Sequence, residues 1–81
     1  MENFERFIGK NVKITVAFGG IIHQGGSIPL NFIGTLERIE NDFLEFSDVK
    51  KETFNFTSTS YNNYSNYAIV NKQYILMMAE L

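Results

Sequence analysis

Apolar and polar residues alternate along much of the chain, mostly with a period of two. In residues 12–18 (VKITVAF), Val12, Ile14, Val16 and Phe18 share one side, which predicts a strand with one buried face. Residues 32–40 (FIGTLERIE) predict a second strand whose phase slips: Phe32, Gly34 and Leu36 share a side, but Ile39 comes three residues after Leu36. A slip of this kind predicts a bulge or sharp bend, and Gly34 removes a side chain where the strand has to curl. Glu40-Asn41-Asp42 reads as a tight hairpin turn into a third strand over 43–49 (FLEFSDV). Residues 50–52 (KKE) read as a charged turn, and 53–57 alternate again, in a form that continues the sheet. Residues 58–66 (STSYNNYSN) read as a polar loop, 67–70 as a short strand, Asn71-Lys72 as a turn and 74–80 as the last strand. Ahead of the strands the period changes. Phe4, Phe7 and Ile8 fall at i, i+3 and i+4, which predicts a short α-helix over 2–9 that Gly9 ends. Glu2 and Glu5 lie in its first turn, where the helix dipole favours acids.

The last strand breaks the alternation. Tyr74, Ile75, Leu76, Met77 and Met78 are consecutive and apolar, so both faces call for burial. A small antiparallel sheet packs one face on its core. The other face therefore has to meet the N-terminal helix or a neighbouring subunit. One short helix and five strands, the second of them bent, outline a mostly β domain: a small, strongly bent, five-stranded antiparallel barrel over residues 1–81.

At 81 residues the chain is a single domain with a small core. It has no Cys, hence no disulfide framework and no thiolate metal site. The opening MENFERF is too polar for a leader, and no apolar run reaches the ~20 residues that span a bilayer, so the expectation is a cytoplasmic protein without a membrane contact. Seven Lys plus Arg against nine Asp plus Glu give a formal charge of −2. Net charge therefore does not signal nucleic acid, although local placement can still create a basic surface on an acidic body.

Residues 19–31 interrupt the first two strands with two Gly pairs, the single His and the single Pro. Gly20, Gly25 and Ser27 match the spacing of a phosphate loop, but Gly26 stands where its Lys belongs and no helix follows. The segment reads as an inserted loop whose glycines supply positive φ. Ile21, Ile22, Ile28 and Leu30 are too apolar for a solvated loop and form a candidate protein interface. His23 lacks a second His, a Cys or a nearby acid and reads as a solvent-facing loop residue, so no metal is expected. Arg6, Lys10 and Lys13 stand beside Glu2 and Glu5 and read as a mixed solvated face. Tyr61, Tyr64 and Tyr67 lie in a polar stretch that reads as a loop rather than a base-stacking platform. No arrangement of Ser, His and acids forms a catalytic set, and the expectation is a non-enzyme without cofactor or small-molecule substrate.

The order Ile8-Gly9-Lys10-x-Val12-x-Ile14-x-Val16, an interruption, Phe32-x-Gly34-x-Leu36-x-x-Ile39-Glu40-Asn41, Phe43-Leu-Glu-Phe-Ser-Asp-Val49 and, after a variable stretch, Ala68-Ile-Val-Asn-Lys-Gln-Tyr-Ile-Leu-Met-Met78 resembles the Sm-like (LSm) and bacterial Hfq family of ring-forming RNA-binding barrels. The correspondence covers roughly half of the chain, in pieces. The resemblance implies an Sm-like (SH3-like) barrel whose fourth strand pairs with the fifth strand of the next copy, making a homo-oligomer through the last two strands. It also implies a single-stranded RNA site near the pore. The turn after the second strand corresponds to Glu40-Asn41, and the turn between the last two strands to Asn71-Lys72-Gln73. Asn41, Asn71, Lys72 and Gln73 are thus the candidate RNA contacts: amides donate to and accept from base edges, and Lys is a point charge for phosphate. Two positions depart from the family. Asp42 stands where a flat, stacking side chain is usual, and Gln73 replaces a His or Arg. The alternative function is a protein-interaction or assembly barrel that does not bind RNA, with Ile21, Ile22, Ile28 and Leu30 as its surface.

Overall fold

The computed structural model describes residues 3–17, 31–54 and 56–81. Its strands are β1 (Asn11–Val16), β2 (Asn31–Glu40), β3 (Phe43–Phe54), β4 (Thr59–Asn71) and β5 (Ile75–Glu80). All pair antiparallel in one sheet of order β4-β3-β2-β1-β5. The edges are therefore β4 and β5, and within one copy they are not joined to each other.

Alternation builds the core. Val12, Ile14 and Val16 of β1, Phe32 and Leu36 of β2, Leu44, Phe46 and Val49 of β3, and Ala68 and Val70 of β4 are all buried. Phe32 and Phe46 meet edge to face with ring centroids 5.4 Å apart, a favoured aromatic geometry. The slip read in the second strand is present. The β2–β3 register shifts between Ile33 and Thr35 and again between Leu36 and Arg38. Gly34 lies at the first shift, where a Cβ would stand 3.2 Å from the Ser47 carbonyl oxygen. Asp48, just beyond in β3, takes φ 53, which turns the strand between Ser47 and Val49.

The N-terminal α-helix expected over 2–9 is corrected to one 3-10 turn, Phe4–Phe7. The Asn3 side chain accepts from the Glu5 N–H at its start. Eclipsed i and i+3 positions suit the 3-10 period, and Phe4 and Phe7 are the pair that is buried, while Ile8 is exposed. The turn cannot lengthen because β2 takes the following residues. The Gly9 N–H donates to the Leu36 carbonyl, and the Leu36 N–H donates to the Lys10 carbonyl. Gly9 makes this reversal at φ 85.

Two expected breaks in the sheet are also corrected. Lys50, Lys51 and Glu52 are not a turn but part of β3. The polar loop expected over 58–66 is strand from Thr59 onward and continues into the expected short strand as β4. The reason is pairing: β3 supplies partners along the whole run, from Phe54 opposite Thr59 to Phe43 opposite Asn71. Tyr74 belongs to a second 3-10 turn, Lys72–Tyr74, and β5 starts at Ile75. The inserted loop, with His23, Ile21, Ile22, Ile28 and Leu30, lies outside the described residues up to residue 30, as does Phe18; Asn31 opens β2. Among the described residues no helix is long and apolar enough to cross a membrane.

Gly34→Val places three carbons against the Ser47 carbonyl and the Val49 side chain. Overpacking of this kind costs about 1–3 kcal/mol. The expected result is a lower denaturant midpoint with an unchanged slope; an unaltered midpoint would mean that β3 yields freely at this crossing.

Candidate functional site

The hairpin between β2 and β3 closes in two residues, Asn41 and Asp42, since Glu40 pairs with Phe43. Asn41 takes φ 55, a left-handed conformation that Asn tolerates better than most side chains. At the end of β4, Asn71 caps the second 3-10 turn, its side-chain oxygen accepting from the Gln73 N–H at 3.0 Å. Pairing of β3 with β4 sets Phe43 opposite Asn71 and brings the two turns together. The Lys72 N–H then donates to the Asp42 carbonyl at 2.8 Å. The Lys72 ammonium lies 3.6 Å from the Asp42 carboxylate.

The four sequence candidates, Asn41, Asn71, Lys72 and Gln73, therefore fall in one cluster although the two turns are about thirty residues apart in the chain. Asn41, Lys72 and Gln73 are exposed, and Asn71 is half-buried. The Asn71 oxygen is committed to the cap, so its NH₂ group is what it offers. Asp42 partly neutralises Lys72, and Glu40 adds a second carboxylate on the same turn. The cluster is richer in amides than in positive charge.

Sequence reasoning missed Phe43. It stands next to Asp42 and opposite Asn71, with 46% of its surface exposed. Its phase was the available signal: Leu44 and Phe46 point into the core, and Phe43 lies one residue out of step with them. Its half-exposed ring is a flat apolar surface across from Asn71, which Asp42 is not.

A second feature lies behind the turns on the outer face of the sheet. Arg38 and Glu45 pair across β2 and β3, and the Arg38 Nε donates to Glu45. The Tyr67 hydroxyl donates to the other Glu45 oxygen at 2.7 Å. Glu45 is the one buried charged residue among those described. The Tyr67 hydrogen bond, then the Arg38 hydrogen bond, lower the Glu45 pKa below the ordinary carboxylate value, against the opposing effect of desolvation. The same bond raises the Tyr67 pKa, since the phenol proton is held by a carboxylate.

Tyr61, Tyr64 and Tyr67 do not form one platform. Tyr67 is half-buried against Glu45, whereas Tyr61 donates to Glu52 further along the sheet. Arg6, Lys10 and Lys13 each have a different partner. Arg6 lies over the Phe7 ring, Lys10 is 3.7 Å from Glu80, and Lys13 is 3.3 Å from Glu52. Among the described residues no three His, Cys, Asp or Glu side chains gather so as to hold a metal ion. No protein-family model, no curated protein and no solved structure matches the chain.

The depressed Glu45 pKa contributes stability that is present above the unfolded-state pKa and is lost as pH falls through the folded-state value. Tyr67→Phe removes the largest cause of the depression, so the contribution shrinks and its loss is complete at a higher pH. The expected outcome is an acid-unfolding midpoint, followed by circular dichroism, displaced toward neutral pH. A midpoint unchanged from wild type would show that Arg38 alone sets the Glu45 pKa.

Proposed function

We propose that the chain is a self-associating, non-catalytic module of the Sm-like kind that binds single-stranded RNA at the two-turn cluster. The observation that carries this reading is the meeting of the turns: the Lys72 N–H on the Asp42 carbonyl gathers Asn41, Asn71, Lys72, Gln73 and Phe43 at one place. An aromatic ring beside amides suits an unstacked base, with stacking on the ring and hydrogen bonds to its edge. One partly neutralised Lys suits little more than one phosphate.

Self-association is supported by the position of the edges. A ring that pairs the fourth strand of one copy with the fifth of the next needs those strands at opposite edges, where β4 and β5 lie. On β5, Leu76 and Met77 are 68% and 47% exposed, apolar surface that a neighbouring strand would cover. Leu76 is the residue that the β1–β5 register shift leaves over, which turns it out of the sheet. Closure of the bent sheet into a barrel and a cytoplasmic setting are part of the same reading.

The placement of acids favours a second reading, an assembly module without RNA. Asp42 and Glu40 frame the cluster, and the only Lys in it is ion-paired.

The two readings separate in an anisotropy titration with short single-stranded RNAs at two salt concentrations. For an RNA binder, Phe43→Ala weakens binding by about 1–3 kcal/mol, the usual worth of one stacked base. Lys72→Ala weakens it and flattens the salt dependence by about 0.7 in log–log slope, one single-strand phosphate contact. Asp42→Asn strengthens binding by releasing Lys72. No binding by wild type at low salt leaves the assembly module; binding that ignores all three substitutions places RNA elsewhere on the protein.

A further inference from the structure

β4 is thirteen residues long and β5 is six. A neighbour's β5 therefore covers less than half of the β4 edge. The exposed portion is the far part of the β3–β4 hairpin. Among the described residues β2 accompanies β3 only as far as Lys51, so there Glu52 to Phe54 and Thr59 to Tyr61 form a ribbon of two strands. Thr59 to Tyr64 are all exposed. Two-stranded ribbons are marginal in water and gain stability from further strands.

The composition of this edge is unusual. Residues 59–71 contain no Asp, Glu, Lys, Arg, His or Pro. Natural edges are commonly guarded against pairing by charges, above all Lys, and by Pro. Here the guards are absent from β4, the longer of the two described edges, while Lys50, Lys51 and Glu52 stand on the inner strand of the same hairpin. A charge-free strand matters most to one partner in particular. When two identical strands pair antiparallel about a two-fold axis, the residue on the axis lies opposite its own copy. A charge there meets its like, and directly opposed like charges destabilise a sheet. A strand without charge has no such penalty in any register.

The geometry points to a two-fold interface in which the far part of β4, around Asn62, pairs antiparallel with β4 of a second copy. The hairpins of two copies then make a four-stranded sheet. This contact uses residues that the β4–β5 pairing leaves uncovered, so it joins assemblies of that kind to one another. It does not depend on RNA binding.

The test isolates this edge by blocking the other one. Leu76→Lys with Met77→Lys, both at exposed sites, removes β5 as a pairing strand. Light scattering of this full-length variant is expected to give a dimer. In that background Asn62→Glu faces Lys51, which adds an attractive pair within its own copy. With the axis at Asn62, the same carboxylate lies directly opposite its counterpart in the second copy. Asn62→Glu is therefore expected to give a monomer with an unchanged circular dichroism spectrum, and the neutral Asn62→Gln a dimer. A monomeric β5-blocked protein, a dimer that survives Asn62→Glu, or a monomer with Asn62→Gln overturns the proposal.

Discussion

Everything in this small domain depends on the bend in β2. A single sheet of five strands cannot enclose a core unless a central strand turns, because flat sheets leave one face without cover. β2 turns twice, once at Gly34 and once after Leu36, where its register with β3 shifts. The first lets the Ser47 carbonyl approach a position that no side chain can occupy comfortably. Before the second, β2 pairs with β1 and then, through Leu36, with Gly9 and Lys10. That pairing ends the N-terminal turn after four residues and sets Phe4 and Phe7 on the core. The core, the turn and the placement of the hairpin tip are thus consequences of one strand changing direction.

The same bend positions the candidate site. Beyond Leu36 the strand carries Arg38 and Glu40 toward the tip, and β3 returns with Phe43 and Glu45 beside them. β4 then lays Asn71 against Phe43 and Tyr67 near Glu45. The Arg38–Glu45–Tyr67 hydrogen bonds fasten three strands together on the outer face, directly behind the two turns. A site made of turns is ordinarily soft. This one is backed by a nearly buried carboxylate whose two oxygens are both engaged, and a paired network of that sort resists distortion because separating it leaves a charge unsolvated.

Much of this architecture was legible in the chain. Period-two alternation marks β1 and the core side of β2, and the three-residue step from Leu36 to Ile39 marks the bulge. The hairpin at Asn41-Asp42 follows from its residue types. What alternation could not show is pairing at a distance. Lys50 to Glu52 and Ser58 to Asn66 look like turn and loop because polar residues dominate them, and what makes them strand is pairing between β3 and β4 rather than alternation. The N-terminal helix was misjudged for a related reason: i, i+3 spacing fits a 3-10 turn as well as an α-helix, and the hydrogen bonds that decide between them come from Leu36, far along the chain. Phe43 was overlooked because an aromatic residue in a strand is read as core until its phase is checked. Asn41, Asn71, Lys72 and Gln73 were nominated by resemblance. That they are neighbours is a result of strand pairing, which no local pattern encodes.

The absence of charge along β4 also bears on how associations at different surfaces respond to solvent. Contacts between Lys and phosphate weaken as added ions compete for both partners. A ladder of backbone hydrogen bonds flanked by Ser, Asn and Tyr has no counterions to release and no field to screen. If the turn cluster takes RNA and the strand takes a second copy, as proposed, ionic strength acts on the first association and passes over the second. The two would then answer to different conditions, one to the ionic surroundings and the other to concentration and temperature.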